Sequence, residues 1–200
     1  ADEGNTLSFE IGTQENGSQT SVSTFSTSTN SVTVGSAAAY SVGNFIGIVE
    51  NQGLSQLIAV GRIVSIAGNI ITVDRWDGNA NTMSAVFAGG DDVAYRLEGS
   101  AAQLGTLTAT TGATSLTHTD VSTNAQSGYS VYVTSDGQLR ASGGATIDDV
   151  ADGTVTVGSE EYGGRVSGSM GVFAATSADF AITTSTFAIQ SATTSEIGRA

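Results

Sequence analysis

The chain has 200 residues, of which 19 are acidic and six are Arg, and its formal net charge is -13. It contains no Lys, no Pro and no Cys, so disulfides, thiol nucleophiles and Cys-ligated zinc are excluded. Nucleic acid and anionic lipid surfaces are not expected partners, because both require clustered Lys or Arg.

An amphipathic strand is the first element that the pattern predicts. In LSFEI, the side chains of Leu7, Phe9 and Ile11 alternate with those of Ser8 and Glu10. Successive side chains of a strand point to opposite faces, so three large apolar side chains share one face. The tract that follows is rich in Ser and Thr. We therefore predict that residues 1–30 form an extended strand and a Ser/Thr-rich tether, or a long edge strand that awaits a partner.

Residues 31–99 are the most hydrophobic part of the chain and predict a small β-barrel or sandwich of about five strands. Two apolar runs flank AGN at residues 67–69, which predicts a hairpin because Gly68 and Asn69 tolerate the positive φ of a tight turn. A second turn is predicted at residues 51–53, and two short strands are predicted around residues 89–92.

A shift back to Ser and Thr at residues 98–105 marks the predicted boundary between two modules. Beyond it, short alternating runs separated by Gly, Asp and Ser predict a β-sandwich over residues 100–200. The expected fold is therefore all-β, with two small antiparallel modules and an extended N-terminal strand. No run of about 18 apolar residues predicts a membrane span.

The segment TNAQSGYSVYVTSDGQLRASGGATIDDVADGTVTVGSEEYG, residues 123–163, resembles the β-sandwich repeats of bacterial cell-surface proteins of the WxL-like kind. The resemblance extends more loosely over residues 104–194. The Trp-x-Leu signature of that family is absent, since the only Trp is Trp76. The resemblance implies an extracellular or cell-surface location and a structural or adhesive role.

No catalytic residue is expected, and we do not expect the protein to be an enzyme. His118 is the only imidazole and lies near Asp120, but no G-x-S-x-G motif supplies a nucleophile. Pairs of adjacent acids occur at residues 91–92, 148–149 and 160–161. Adjacent side chains on a strand point to opposite faces, so these pairs do not face each other across a cleft.

Calcium is the one cofactor that the sequence suggests. In DRWDGNANT, Asp77, Asn79 and Asn81 occupy alternate positions, and Asp74 could add a further oxygen ligand. This spacing is typical of acidic loops that bind a hard cation. The loop lacks the Gly and the Glu of a complete EF-type loop, and the alternative is an ordinary Asp-Gly-Asn turn.

The absence of Pro and Lys bears on the edges of the predicted sheets. Both residues protect exposed edge strands from pairing with other chains. A β-rich chain without them indicates edges that are open or that a second chain fills, unless the absence is a compositional bias alone. Without Lys, Lys–Asn isopeptide crosslinks are also excluded.

These observations favour a secreted structural subunit that forms a pilus-like filament or a surface layer of identical subunits. In this hypothesis Leu7, Phe9 and Ile11 insert into a neighbouring subunit by non-covalent donor-strand addition. The alternative for this strand is pairing within its own sheet. Two further functions stay open: a monomeric adhesin or glycan-binding module that uses loops 74–82 and 136–153 against a glycan or host surface, and a phage capsid or tail decoration protein.

Overall fold

The structure, a computed structural model, describes residues 6–124, 130–133, 137–166, 187–190 and 198–199. Every regular element in these residues is a β-strand, apart from two 3₁₀ turns at Asn16–Ser18 and Ala80–Thr82. The all-β prediction is therefore confirmed. The strands are β1 (Leu7–Thr13), β2 (Thr20–Ser26), β3 (Ser31–Val34), β4 (Phe45–Glu50), β5 (Leu57–Ala67), β6 (Ile70–Val73), β7 (Asp77–Gly78), β8 (Val93–Arg96), β9 (Thr117–Thr123), β10 (Ser130–Val133), β11 (Leu139–Arg140), β12 (Thr146–Asp149), β13 (Glu161–Tyr162), β14 (Phe187–Gln190) and β15 (Gly198–Arg199).

Six strands from the first hundred residues close into an antiparallel barrel. Their order is β4-β8-β2-β3-β6-β5, and β5 also pairs with β4, which closes the ring. β5 has two barrel neighbours because residues 57–62 pair with β4 and residues 63–67 pair with β6, with a register shift between Ile63 and Ser65. β2 similarly pairs first with β8 and then with β3. The short β7 pairs with β5 on the side opposite β4.

The barrel interior is filled by apolar side chains from alternate positions of these strands. Phe25, Ile48 and Ile71 are 4%, 0% and 0% exposed and belong to one buried cluster. Full burial of a side chain of this size stabilises the fold by about 1.5–3 kcal/mol. This cluster is therefore the main source of stability in the barrel.

β4 is buried on both faces, which explains its unbroken apolar run. Ile46 and Ile48 belong to the interior cluster, whereas Phe45 and Val49 belong to a second cluster on the outer side of the barrel wall. Leu116, just before β9, packs in this outer cluster. Strands that are covered on both faces have continuous apolar sequences, whereas strands with one exposed face alternate apolar and polar residues. The outer cluster therefore joins the barrel to the segment that contains β9.

Both predicted turns of the barrel are confirmed. β5 ends at Ala67 and β6 begins at Ile70, and Gly68 between them has a φ of 61°. Asn51, in the connection from β4 to β5, has a φ of 55°. Around residues 89–92 only the second predicted strand, β8, forms. Val86, on the other side of this turn, makes a single isolated bridge to Thr24.

The tether predicted for the end of residues 1–30 is wrong, because residues 20–26 form β2 inside the barrel. Val22 and Phe25 are 5% and 4% exposed and lie in the interior cluster. A strand with one face to solvent needs few apolar side chains, and Thr has a high strand propensity. A tract rich in Ser and Thr can therefore supply a barrel strand, and the barrel begins before residue 31.

The strands outside the barrel form three smaller sheets in the described residues. Their orders are β1-β9-β15, β10-β14 and β11-β12-β13, and all pairings are antiparallel except that of β12 with β13. Parts of the strands predicted for residues 100–200 fall at 125–129, 134–136, 167–186 and 191–197, outside the described residues. The N-terminal strand β1 thus belongs to a sheet with the second half of the chain.

Candidate functional site

The candidate site is the exposed side of β1, the strand whose apolar face suggested assembly. β1 pairs with β9 of its own chain along its whole length, from Leu7 opposite Thr123 to Thr13 opposite Thr117. Of the two alternatives for this strand, the structure has the pairing within its own sheet. Leu7, Phe9 and Ile11 are nevertheless 68%, 53% and 59% exposed. Three large apolar side chains therefore form a continuous exposed row, which we call the β1 row.

Among the described residues, the backbone of β1 from Leu7 to Ile11 has no strand partner on the side away from β9. Thr13 exchanges both backbone hydrogen bonds with Gly99 at 2.9 Å, on the side opposite β9. The backbone N–H of Gln14 donates to the carbonyl of Leu116 at 2.9 Å, which continues the register of β1 with β9 by one residue. Backbone groups of successive strand residues point alternately to the two sides. The N–H and C=O groups of the β1 row therefore point to the outer edge, where no strand of the described residues pairs with them.

Arg62 of β5 connects β1 and β9 to the barrel. Its Nη2 atom lies 2.8 Å from Oε2 of Glu10 and 3.0 Å from Oδ2 of Asp120. Its guanidinium also lies over the ring of Phe45, 4.2 Å from the centroid. Burial alone would lower the pKa of Arg62, but hydrogen bonds to the two carboxylates outweigh this effect and raise the pKa. Arg62 therefore stays charged and holds both strands.

Gly12 allows the far end of β1 to lie close to the barrel. A Cβ atom at this position would lie 2.6 Å from Cε1 of His118 and would also overlap the carbonyl oxygen of Leu97. Real Cβ atoms essentially never come within 3.0 Å of another heavy atom. A side chain at position 12 would therefore push β1 away from the barrel.

The chain that leaves β1 is also held firmly. The backbone N–H of Glu15 donates to the carbonyl of Arg96 at 3.0 Å, and the Arg96 guanidinium donates to the Glu15 carboxylate and to the carbonyl of Ala39. The hydrogen bond to Glu15 raises the pKa of Arg96. Ser18 accepts from the backbone N–H of Arg96 at 2.7 Å. This connection resists movement of β1 away from its own barrel.

His118, the only candidate base, has a packing role in this arrangement. It is 2% exposed, and its ring centroid lies 4.1 Å from that of Phe45. Asp120 shares its face of β9 and binds Arg62. The structure thus brings His118 and Asp120 onto one face, as a strand requires for residues two apart, and it buries the imidazole beneath β1.

The carboxylates of the predicted calcium loop have protein partners. Asp74 accepts hydrogen bonds from the backbone N–H groups of Arg62 at 3.2 Å and Arg75 at 2.7 Å. Asp77 forms an ion pair with the Arg75 side chain at 3.2 Å. Both acids thus stabilise the turn between β6 and β7.

The two amides of that loop have different surroundings. Asn79 accepts from the backbone N–H of Ile58 at 3.1 Å, and Asn81 is exposed in a 3₁₀ turn. In the described residues no group of three or more His, Cys, Asp or Glu is placed to hold a metal ion. The contacts are those of an ordinary turn that pairs with β5, while calcium binding stays a prediction.

A polar depression lies beside the connection after β1. It has a volume of about 540 Å³ and is lined by residues that include Gln14, Asn16, Arg96 and Gln103. No aromatic side chain is among its described lining residues. Sugar-binding sites generally include aromatic platforms, and none of the described lining residues belongs to loops 74–82 and 136–153. It therefore adds no support to the glycan-binding alternative.

Sequence reasoning found the β1 row but missed the groups that position it. Arg62 interrupts the apolar run AVGRIV, and a charge inside such a run indicates that a partner is present. That signal was available from the sequence. Gly12 and the pairing of β9 with β1 gave no local signal, because both depend on contacts between residues more than one hundred positions apart.

Comparisons with known protein families, with curated protein sequences and with solved structures found no match. The described residues contain no helix long and apolar enough to cross a membrane. The resemblance to WxL-like surface proteins therefore stays an expectation from the sequence.

Proposed function

We propose that this chain is an extracellular structural subunit, not an enzyme, that assembles non-covalently with copies of itself through β1. The observation that carries the proposal is the β1 row, three apolar side chains exposed on an open strand edge. Monomeric proteins normally protect such edges with Lys, Pro, bulges or inward charges. An unprotected edge with an apolar face is typical of a surface that pairs with another chain.

The one charged side chain of β1 is an inward charge, but Arg62 neutralises it, so it opposes edge pairing less than an unpaired charge would. Glu10 is directed to Arg62 on the barrel side, opposite to the β1 row. The same ion pair holds β1 on the barrel. The strand is therefore presented to solvent as an ordered surface, which reduces the conformational entropy that a partner contact must overcome.

The size of the β1 row predicts a weak single contact. Complete burial of a Leu, Ile or Phe side chain is worth about 1.5–3 kcal/mol, and β1 has already buried part of each. Six partly buried side chains from two copies would supply about 6 kcal/mol. Association costs about 4–15 kcal/mol in lost translational and rotational freedom. Such a contact becomes effective in an assembly, where many contacts act together.

Filament, surface layer and phage decoration all place identical subunits next to one another, and the β1 row suits each of them. Location outside the cell is supported by the composition and by the resemblance of residues 123–163. The monomeric adhesin is the competing hypothesis, because it predicts that the isolated chain does not associate.

The test compares two triple variants by negative-stain microscopy and sedimentation. The first replaces Leu7, Phe9 and Ile11 with Thr, which keeps strand propensity and removes the apolar row. The control replaces three other exposed apolar residues with Thr: Val42, Val64 and Val86, which are 63%, 47% and 68% exposed.

We expect the unmodified chain and the control to associate and the β1 variant to remain a folded monomer. Association should increase with salt, because the net charge of -13 makes copies repel one another. A monomeric unmodified chain at all concentrations and salt levels would contradict the proposal and favour the adhesin.

A further inference from the structure

We propose that two copies of this chain pair side by side through the outer edges of β1, antiparallel, with Phe9 of one copy opposite Phe9 of the other. The inference rests on the proposed function and specifies how the copies meet. Each β1 keeps its own β9, so the two sheets join into one around a two-fold axis at Phe9.

The length of the open edge determines where this axis lies. Gly99 occupies the outer backbone groups of Thr13, so pairing with a second copy ends before that residue. The remaining outward residues are Leu7, Phe9 and Ile11, and Phe9 is the central one. An axis at Phe9 pairs all three outward residues with outward residues of the second copy, and all outward backbone groups of the β1 row find partners.

The side-chain pattern selects the same register. With Phe9 opposite Phe9, Leu7 lies opposite Ile11 of the second copy, so apolar side chains face apolar ones. On the other face, Ser8 lies opposite Glu10. If the two-fold axis lay at Glu10 instead of Phe9, Glu10 would lie opposite Glu10 of the second copy. That register would also require the outer backbone groups of Thr13, which Gly99 already occupies. Directly opposed like charges destabilise a strand pair, and each copy already carries a net charge of -13.

Edge pairing is favoured over strand exchange, in which β1 would leave its own β9 for that of a neighbour. Exchange must first break seven register pairs, the Arg62–Glu10 ion pair and the close contact of Gly12 with His118. It must also displace the connection held by Arg96. Edge pairing breaks none of these contacts and adds new ones.

A two-fold contact closes on itself and produces a dimer. A filament or layer then needs a second, different contact between dimers. This differs from head-to-tail strand donation, in which one contact repeated is enough to build a fibre.

The absence of Cys makes disulfide trapping a direct test, since each introduced Cys is the only one in its chain. Opposed residues of a hydrogen-bonded antiparallel pair have Cα atoms about 5.5 Å apart, within the range that a disulfide spans. Under mild oxidation of the full chain, Phe9→Cys should therefore form a covalent dimer. Leu7→Cys and Ile11→Cys should each fail alone, because identical residues are then about 13 Å apart along the strands, but their mixture should crosslink.

The matched control is Val42→Cys, which places a Cys at an exposed apolar position on the barrel and measures crosslinking by random collision. We expect several-fold more dimer from Phe9→Cys, and from the Leu7→Cys and Ile11→Cys mixture, than from the control. If the unmodified chain associates but these variants crosslink no more than Val42→Cys, the register is wrong while the proposed function stands.

A second variant separates edge pairing from exchange. Ser8 lies opposite Ser122 within one chain, so Ser8→Cys with Ser122→Cys links β1 covalently to its own β9. Edge pairing predicts that this linked chain sediments as the same dimer as the unmodified chain. Loss of the dimer on oxidation, with recovery on reduction, would overturn edge pairing in favour of exchange. A chain that is monomeric without any substitution overturns the proposed function itself.

Discussion

Replacing Gly12 with Ala should detach β1 from the barrel. The new Cβ would lie 2.6 Å from Cε1 of His118 and would overlap the carbonyl oxygen of Leu97. Carbon atoms pack at about 3.5–4.0 Å, so β1 must move by about 1 Å. Overpacking of this kind costs about 1–3 kcal/mol, and a backbone carbonyl cannot rotate away. We therefore expect the free energy of unfolding to fall by about 3 kcal/mol. For a chain of this size that unfolds as one unit, this lowers Tm by roughly 6–12 °C.

The matched control is Gly17→Ala, five positions further along. A Cβ at Gly17 meets no atom within 4 Å, so its stability should change by no more than about 0.5 kcal/mol. Both variants are compared by thermal and urea unfolding, with hydrogen exchange of the Ser8 and Glu10 amides as the local measure. Equal stability and equal exchange in the two variants would refute the close contact of β1 with the barrel.

Three further predictions concern the groups around this contact. Arg62→Met keeps the apolar contact with the Phe45 ring but removes two ion pairs and a cation–π contact. It should lower the free energy of unfolding, measured in urea, by about 1–2 kcal/mol. An unchanged free energy would mean that the ion pairs do not hold β1. Burial raises the pKa of Tyr40, so its neutral form favours folding and stability is lost as pH rises above the ordinary value of about 10. Urea unfolding between pH 8 and 11 should show a decline that is shallower in Tyr40→Phe, whereas equal slopes would contradict this assignment. Calcium or a chelator should leave Tm unchanged, because protein donors already occupy the carboxylates of Asp74 and Asp77; a saturable rise with calcium would show that the loop binds the ion.

The strands and turns of the barrel could be predicted because their signals are local. Alternation within a few residues identifies a strand, and Gly68 between two apolar runs identifies a hairpin. The apolar face of β1 was recognisable for the same reason. For β2 the sequence leaves both a tether and a long edge strand open, because its two buried side chains, Val22 and Phe25, are few for a tract so rich in Ser and Thr.

The pairing of β1 with β9 could not be predicted, because it joins residues far apart in the chain through contacts that leave little local pattern. β9, THTDVST, contains one Val and one His among polar residues. Its position depends on Arg62 and on the space left by Gly12. The calcium prediction is different, because the spacing of the acids is local and matched a cation loop, whereas the ion pair of Arg75 with Asp77 could not be predicted from that spacing; calcium binding itself stays a prediction.

The net charge and the β1 row act in opposite directions on assembly. A charge of -13 without any Lys keeps separate chains apart at low salt. At physiological ionic strength, salt weakens the repulsion between charges more than about 8–10 Å apart. The apolar contact then dominates. Assembly is therefore expected to start only where ionic strength and local concentration are sufficient.

The most direct test of the central claim is residue-resolved amide hydrogen exchange of the unmodified chain at increasing protein concentration. Ser8, Glu10 and Gly12 donate toward β9 and should be protected at every concentration. The β1 row donates toward the open edge, so its amides should exchange fast in dilute solution and become protected as copies associate. If the amides of Leu7, Phe9 and Ile11 exchange equally fast at all concentrations, β1 is not a contact between copies.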